Sequence, residues 1–167
     1  MVEKVMLKYQ GRKVKGRKIT VSSTFPVSKD QIWNKIQQVE TLRYVARPYA
    51  MFDPVGEIPT EWKEGDTYVF RTRMHSILPI GKHTIRIVQT NREKGEIVSC
   101  EFDKVVRIWE HTIRMKENGA VSVTDYTDIV SIYAGILTPV VAWWSVRFYK
   151  HRQRKWKKLL AKSEERI

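Results

Sequence analysis

The chain has 167 residues, of which 42% are hydrophobic, and it carries a formal net charge of +13. This length suits one domain with a sizeable core, and the 6 Trp, 7 Tyr and 5 Phe residues exclude a wholly disordered chain. The single cysteine, Cys100, excludes an internal disulfide, and no Cys or His spacing is typical of a metal site, so we expect no metal.

The first segment, residues 1–17, is basic and poorly periodic. Residues 8–18 hold six Lys and Arg and no acid. This indicates a loose basic arm, with room for a brief strand near Val5 to Tyr9, ahead of one domain at 18–162, with a short tail at 163–167. The N-terminus has no apolar run typical of a secretory signal, and together with the lone cysteine this indicates a cytoplasmic protein. From Ile19 to Phe25, apolar and hydroxyl side chains alternate, which predicts the first strand.

Two short helices are expected next. Ser28 and Gln31 have the spacing of a capping box, and the apolar residues that follow predict a helix, with a second helix at about 39–45. An edge strand is predicted at 49–55. Strands then follow in series with short turns, which indicates an antiparallel meander. The predicted bounds are Thr67–Ser76, Lys82–Arg92, Gly95–Asp103, Val105–Lys116 and Ala120–Ile132.

The last element is a predicted helix from Thr138 to Lys162. Thr138 can serve as its N-cap, Pro139 suits the first helical position, and apolar residues follow at spacings of three or four. Residues 147–167 hold nine Lys and Arg against two acids. We therefore expect the first half of the helix to pack on the sheet and the half from Lys150 onward to project beyond it. The uncharged stretch at 131–146 is too short for a bilayer span.

This order of elements resembles the helix-grip fold of the START / polyketide cyclase-dehydrase-like (SRPBCC, Bet v-type) superfamily. The resemblance is carried by ITVSSTFPVSKDQIWNKI, RIWEHTIRMKENGAVSVTDYTDIV and WWSVRFYKHRQRKWKKLL. It implies an α+β domain over 18–162, in which a curved antiparallel sheet of about six or seven strands wraps around a long C-terminal helix. It also implies a cavity between sheet and helix for an apolar or amphipathic small molecule.

The side chains expected to line that cavity follow from strand alternation, with the more apolar face of each strand turned inward. Such a lining, apolar with few polar groups, is typical of a small-molecule pocket. The alternative is that the same residues fill a solid core. The predicted lining is Tyr68, Phe70, Thr72, Met74, Ile87, Gln89, Cys100, Phe102, Trp109, His111, Ile113, Trp144 and Phe148.

His111 is the one candidate for catalysis, because it shares a face with Trp109 and Ile113 and could act as a general acid or base. A hydrogen-bonded structural histidine is the alternative. Glu101 and Asp103 share a face that this assignment places outward. No nucleophile pairs with a base, and no cofactor motif occurs, so no cofactor is expected.

Three functions remain open from the sequence. The first is non-enzymatic binding of a lipid, isoprenoid or polyketide-like molecule. The second is a cyclase- or dehydratase-type enzyme that uses His111. The third is peripheral association with an anionic membrane through the basic termini, whereas the absence of a nucleic-acid-binding signature argues against nucleic acid as a partner.

Overall fold

The computed structural model describes residues 1–57, 60–75, 77–119 and 122–164. Over these ranges the chain forms eight strands and three α-helices, with a 3₁₀ turn at Gly135–Leu137. In chain order the elements are β1 (Val2–Tyr9), β2 (Arg12–Phe25), α1 (Lys29–Ile36), α2 (Val39–Ala46), β3 (Ala50–Pro54), β4 (Thr67–Met74), β5 (Leu78–Asn91), β6 (Glu96–Phe102), β7 (Ile108–Glu117), β8 (Thr124–Tyr133) and α3 (Thr138–Glu164).

The strands form one antiparallel sheet in the order β1-β2-β8-β7-β6-β5-β4-β3. The run from β4 to β8 is a meander joined by short turns, as predicted, with strand ends shifted by a few residues. The predicted strand ends Ser76 and Ala120 lie outside the described residues. Helices α1 and α2 connect β2 to β3, which lies at the opposite edge of the sheet.

The prediction of a loose N-terminal arm is wrong, and the brief strand considered near Val5 to Tyr9 is the second half of a longer strand. Strand β1 pairs with β2 from Val2 opposite Ile19 to Tyr9 opposite Arg12, so the basic segment is a β-hairpin. The side chain of Leu7 occupies the space above Gly16, where a Cβ would approach within 2.5 Å of it. The strand pattern is concealed in the sequence because lysine and arginine occupy many of the exposed positions of the hairpin, and the apolar Met6 is exposed as well.

The capping box at the start of α1 is confirmed. The Ser28 hydroxyl accepts from the Gln31 backbone N–H, and the Gln31 side chain accepts from the Ser28 N–H. The cap fixes the direction in which α1 leaves β2. Its apolar side then packs beneath the sheet with α2 and the distal part of α3.

The long helix begins at Thr138 as predicted, but its second half does not project past the sheet. Trp156 and Leu160 are buried in a cluster with Phe25 and Tyr126, and the Trp156 and Tyr126 rings are 6.0 Å apart. One stripe of the basic half is apolar, and this stripe holds the helix on the sheet. Within the described ranges, no helix is long and apolar enough to cross a membrane.

Candidate functional site

A cavity of about 300 Å³ lies between the inner face of the sheet and α3. Strands β4 to β7 supply one wall, α2 and β3 close one side, and the first half of α3 forms the roof. Most of the lining is apolar, and polar groups are concentrated on the inner faces of β5, β6 and β7. Representative lining residues are Phe52, Ile85, Ile87, Trp109, Trp144 and Phe148.

Eight of the predicted lining residues border this cavity: Thr72, Met74, Ile87, Trp109, His111, Ile113, Trp144 and Phe148. Two others face inward without bordering it. Phe70 packs edge-on against Phe52 in the core, and the Tyr68 hydroxyl lies beside Trp62 and donates to Asp66. Contact of any of these residues with a ligand stays a prediction.

Three predicted lining residues lie on the opposite face of the sheet. On β6 the inward positions are Ile97, Ser99 and Glu101, which turns Cys100 and Phe102 outward, and Phe102 is 48% exposed. Gln89 follows a bulge that shifts the pairing between β5 and β6, so it lies opposite the outward Val98.

The expectation that Glu101 and Asp103 face outward is therefore wrong, and the two carboxylates border the cavity. Both approach the buried His83 on β5. The His83 Nε2 atom is 2.9 Å from Glu101 Oε2, and its Nδ1 atom is 3.1 Å from Asp103 Oδ2. Ser99 donates to the other Glu101 oxygen at 3.0 Å.

His111, on β7, extends this cluster toward β8. Its Nε2 atom is 2.8 Å from Oδ1 of Asp128, and its Nδ1 atom is 3.6 Å from Oε1 of Glu101. Asp128 is fully buried, and its second oxygen accepts from the Gln153 amide of α3 at 2.9 Å. The Gln153 amide also donates to the Val21 carbonyl, so the cluster ties α3 to the centre of the sheet.

The pKa of each ionisable group in the cluster is shifted in the direction that favours its charged form. Burial opposes a charged ring, but Asp103 and Glu101 outweigh it and raise the pKa of His83 to about 9. Against the same opposition from burial, Asp128 and Glu101 raise the pKa of His111. Burial likewise opposes ionised carboxylates, yet the histidines hold the pKa values of Glu101, Asp103 and Asp128 below their usual range.

A buried arginine on α3 completes the set. Arg152 borders the cavity, and its guanidinium carbon is 5.1 Å from the Tyr149 ring centroid and 5.7 Å from that of Phe148. Burial opposes its charge, but nearby Asp128 outweighs burial and raises the Arg152 pKa further. The Tyr149 hydroxyl accepts from the Trp109 indole at 3.2 Å, which fixes the aromatic wall beside the arginine.

The ionisable side chains beside the cavity pair with one another and form an ionic cluster. Both ring nitrogens of His111 face carboxylates, and Cys100, the one thiol of the chain, lies on the other side of the sheet. Among the residues that the structure describes, no group of three or more His, Cys, Asp and Glu side chains is arranged to hold a metal ion. The site is therefore an apolar cavity whose charged floor residues are paired with one another.

The residues that sequence reasoning missed are His83, Glu101, Asp103 and Arg152. A usable signal was present, since two histidines occupy strands that flank an acidic strand in the meander. In the observed register, Ser99 lies opposite His111 and Glu101 lies opposite Ile85, so Glu101 falls between the two rings. The alternation of apolar residues alone predicts that the other face of β6 points into the cavity.

No protein-family model matches the chain, and no curated protein matches it in sequence. Solved structures do match in fold. A START superfamily protein from Mycobacterium smegmatis aligns with a TM-score of 0.66 at 7% identity, over 87% of this chain and 97% of that one.

Two plant proteins have the same architecture. Major latex-like protein 151 from Panax ginseng aligns with a TM-score of 0.60 at 7% identity, over 84% of this chain and 95% of that one. Norcoclaurine synthase from Thalictrum flavum, solved with dopamine and hydroxybenzaldehyde, aligns with a TM-score of 0.62 at 11% identity, over 88% of this chain and 87% of that one. At these identities the likeness concerns the fold, and that fold is the helix-grip fold of the START and Bet v-type proteins.

Proposed function

We propose that this helix-grip protein binds a hydrophobic or amphipathic small molecule, such as a lipid, isoprenoid or polyketide-like compound, in the cavity beneath α3. The observation that carries the proposal is an apolar cavity of about 300 Å³. Protein interiors are normally close-packed, because an unfilled space forfeits dispersion contacts along its wall. A bound apolar molecule would restore those contacts. The volume is at the lower end of the range of about 300–1,000 Å³ for small-molecule pockets, which favours one ring system or a short chain.

The test is uptake of a neutral apolar dye, 1-N-phenylnaphthylamine, by the purified protein, with native mass spectrometry to detect a retained molecule. Val141→Trp places a large ring in the cavity, whereas the matched control Val88→Trp places it on the exposed side of β5. We expect the first variant to lose dye binding and the second to keep it. A wild-type protein that takes up no dye and retains no small molecule would contradict the proposal.

The same pair of variants distinguishes a cavity from a solid core. A ring added at Val141 enters an existing space, so we expect no loss in the free energy of unfolding. If the region were packed solid, the added ring would cost about 1–3 kcal/mol through strain. Urea unfolding at constant pH measures the difference directly.

A second proposed role is contact with an anionic membrane at the end of the cavity where α3 begins. Exposed apolar side chains surround that end: Trp143 and Val140 are 57% and 64% exposed and border the cavity, and Ile136 on the preceding turn is 96% exposed. The guanidinium of Arg147 lies 3.7 Å from the Trp143 ring centroid. Aromatic side chains beside basic ones are typical of surfaces that enter lipid headgroups.

The basic N-terminal hairpin reaches the same end of the molecule. Tyr9, the last residue of β1, packs against Tyr133 with ring centroids 5.6 Å apart, and the guanidinium of Arg107 lies 5.9 Å from the Tyr9 ring. Tyr133 directly precedes the segment that leads into α3. The hairpin therefore adds positive charge beside the apolar rim, whereas the basic end of α3 lies at the far end of the helix. A cytoplasmic protein with this surface would be suited to exchange an apolar ligand at an anionic bilayer.

Vesicle flotation tests the membrane role. We expect wild-type protein to float with phosphatidylglycerol-containing vesicles at low salt, and not with phosphatidylcholine alone. Trp143→Ser should weaken flotation, whereas the matched control Val88→Ser, which also replaces an exposed apolar side chain, should not. Equal behaviour of the two variants, or no flotation of the wild type, would refute this role.

The cyclase- or dehydratase-type alternative assigns His111 as acid or base. Its ring nitrogens are directed at Asp128 and Glu101, which favours a structural role. His111→Asn is accordingly expected to lower the melting temperature. Turnover of a polyketide-like substrate that disappears in a His111→Asn protein of unchanged stability would instead support the enzyme.

A further inference from the structure

Arg152 is a buried cation that borders the cavity, and one of its guanidinium donors is unpaired within the described part of the chain. The residue is 6% exposed, and its Nε–H has no partner among the described residues. Its guanidinium carbon lies over the rings of Tyr149 and Phe148. A buried donor without an acceptor is costly and rare, so an unpaired donor that borders a cavity indicates a missing acceptor inside it.

Three further donors border the same cavity without partners. The indole Nε1 atoms of Trp144 and Trp156 and the hydroxyl of Thr72 are buried and unpaired among the described residues. Trp144 lies two helical turns before Arg152 and stacks on the intervening Phe148 at 4.9 Å. The cavity thus presents N–H and O–H groups from the roof and from β4, while its carboxylates are already engaged by the histidines.

The charges around the cavity floor balance without a ligand. Glu101, Asp103 and Asp128 supply three negative charges. His83, His111 and Arg152 supply three positive charges when both rings are protonated. A charged headgroup would therefore enter a low-dielectric site with no free counter-charge, which is unfavourable. A neutral oxygen acceptor meets no such penalty.

From these observations we propose that the preferred ligand is an uncharged molecule with an apolar body and a carbonyl or hydroxyl oxygen, which accepts a hydrogen bond from Arg152. The inference rests on the proposed ligand-binding function and specifies the chemical class of the ligand. Aromatic faces of Trp144 and Phe148 would contact the apolar body along the roof.

Five probes that share a phenyl ring and four further carbons test this: n-butylbenzene, butyrophenone, 4-phenyl-1-butanol, 4-phenylbutanoate and 4-phenylbutylamine. Dissociation constants come from displacement of the dye at pH 7. A hydrogen bond to a charged donor is expected to make the ketone or the alcohol bind about tenfold or more tightly than the hydrocarbon. The acid and the amine should bind no more tightly than the hydrocarbon.

Arg152→Met should reduce the advantage of butyrophenone over n-butylbenzene to about twofold or less, while retained n-butylbenzene binding reports an intact cavity. If that variant does not fold, Thr72→Val, Trp144→Phe and Trp156→Phe remove the other donors without touching the charged cluster. Each should leave most of the binding advantage of the ketone in place. Loss of the whole advantage in any one of them would overturn the assignment to Arg152.

The results distinguish a failure of this inference from a failure of the proposed ligand-binding function. Binding of n-butylbenzene as tight as that of the ketone and the alcohol, or tightest binding of the acid or the amine, would overturn the inference and leave ligand binding intact. Failure of all five probes and of the dye to bind would overturn the proposed function itself.

Discussion

Replacing Glu101 with glutamine tests whether the inner cluster is a held ionic network. Glu101 approaches His83 at 2.9 Å and His111 at 3.6 Å, so one carboxylate serves two buried rings. Glutamine keeps the shape but removes the charge that stabilises both protonated histidines. Neutralising one partner of a buried ionic cluster costs about 3–5 kcal/mol. In a protein of this size that corresponds to a melting temperature lower by about 10 °C.

The cost of Glu101→Gln should depend on pH. Near pH 6 the histidines are protonated in the wild type, and the variant leaves them without their shared counter-charge. Near pH 9 the wild type has itself begun to lose the charge on His83, whose pKa is about 9, so the missing carboxylate costs less there. The difference in the free energy of unfolding should therefore shrink as pH rises.

The assay is urea unfolding at pH 6 and at pH 9, analysed as a two-state transition. The matched control is Glu110→Gln on the neighbouring strand, where the carboxylate is exposed. A surface change of this kind is expected to stay within about 0.5 kcal/mol. A Glu101→Gln cost below about 1 kcal/mol at pH 6, or one that is equal at the two pH values, would refute the reasoning.

Three further predictions concern stability. The pKa of His83 in the folded protein is raised from 6.5 to about 9, so its contribution to the free energy of unfolding is complete below pH 6.5 and is lost as pH rises through 9. In a series of urea unfolding curves, the free energy of unfolding should therefore fall by about 3 kcal/mol across this range, and a flat profile would contradict this. Ser28→Ala removes the hydroxyl of the α1 capping box and should cost about 1 kcal/mol in urea unfolding, whereas no measurable loss would argue against the cap. Gly95→Ala should lower the melting temperature more than Gly119→Ala. Both glycines have positive φ, but an added Cβ would clash with the Met115 carbonyl oxygen only at Gly95, so equal melting temperatures would contradict the close approach.

The element order could be read from the sequence because local signals agree with the tertiary structure. Ser28 and Gln31 mark the start of α1, and the uninterrupted helical spacing after Pro139 marks α3. Gly95 and Gly119 mark turns of the meander, and both adopt positive φ. These features depend on residues only a few positions apart, so they can be recognised in a single sequence.

The inner face of β6 could not be assigned by the same means. Val98, Cys100 and Phe102 form an apolar row, and hydrophobicity alone would bury it. The strand instead turns Ser99 and Glu101 inward, because histidines on the two flanking strands compensate the buried carboxylate. That compensation depends on the pairing register, which is a tertiary property.

The bulge after Ile87 and the full extent of the N-terminal hairpin were missed for related reasons. One extra residue on β5 moves each side chain after it to the opposite face of the sheet, and nothing in the local composition marks the position of the bulge. In the hairpin, pairing with a neighbouring strand organises a segment whose basic side chains resemble a solvated arm. The cavity itself depends on how far α3 stands from the sheet, which spacing along the chain does not encode.

The central claim is that an uncharged apolar molecule occupies the space between α3 and the sheet. A ¹H–¹⁵N NMR titration of the protein with butyrophenone tests it most directly, since each amide reports its own position. We predict saturable shift changes at the amides of β5, β7 and the first half of α3, with the outer-face residues Val98 and Cys100 changing least. Unchanged spectra at saturating butyrophenone, or changes confined to the exposed surface, would contradict the claim.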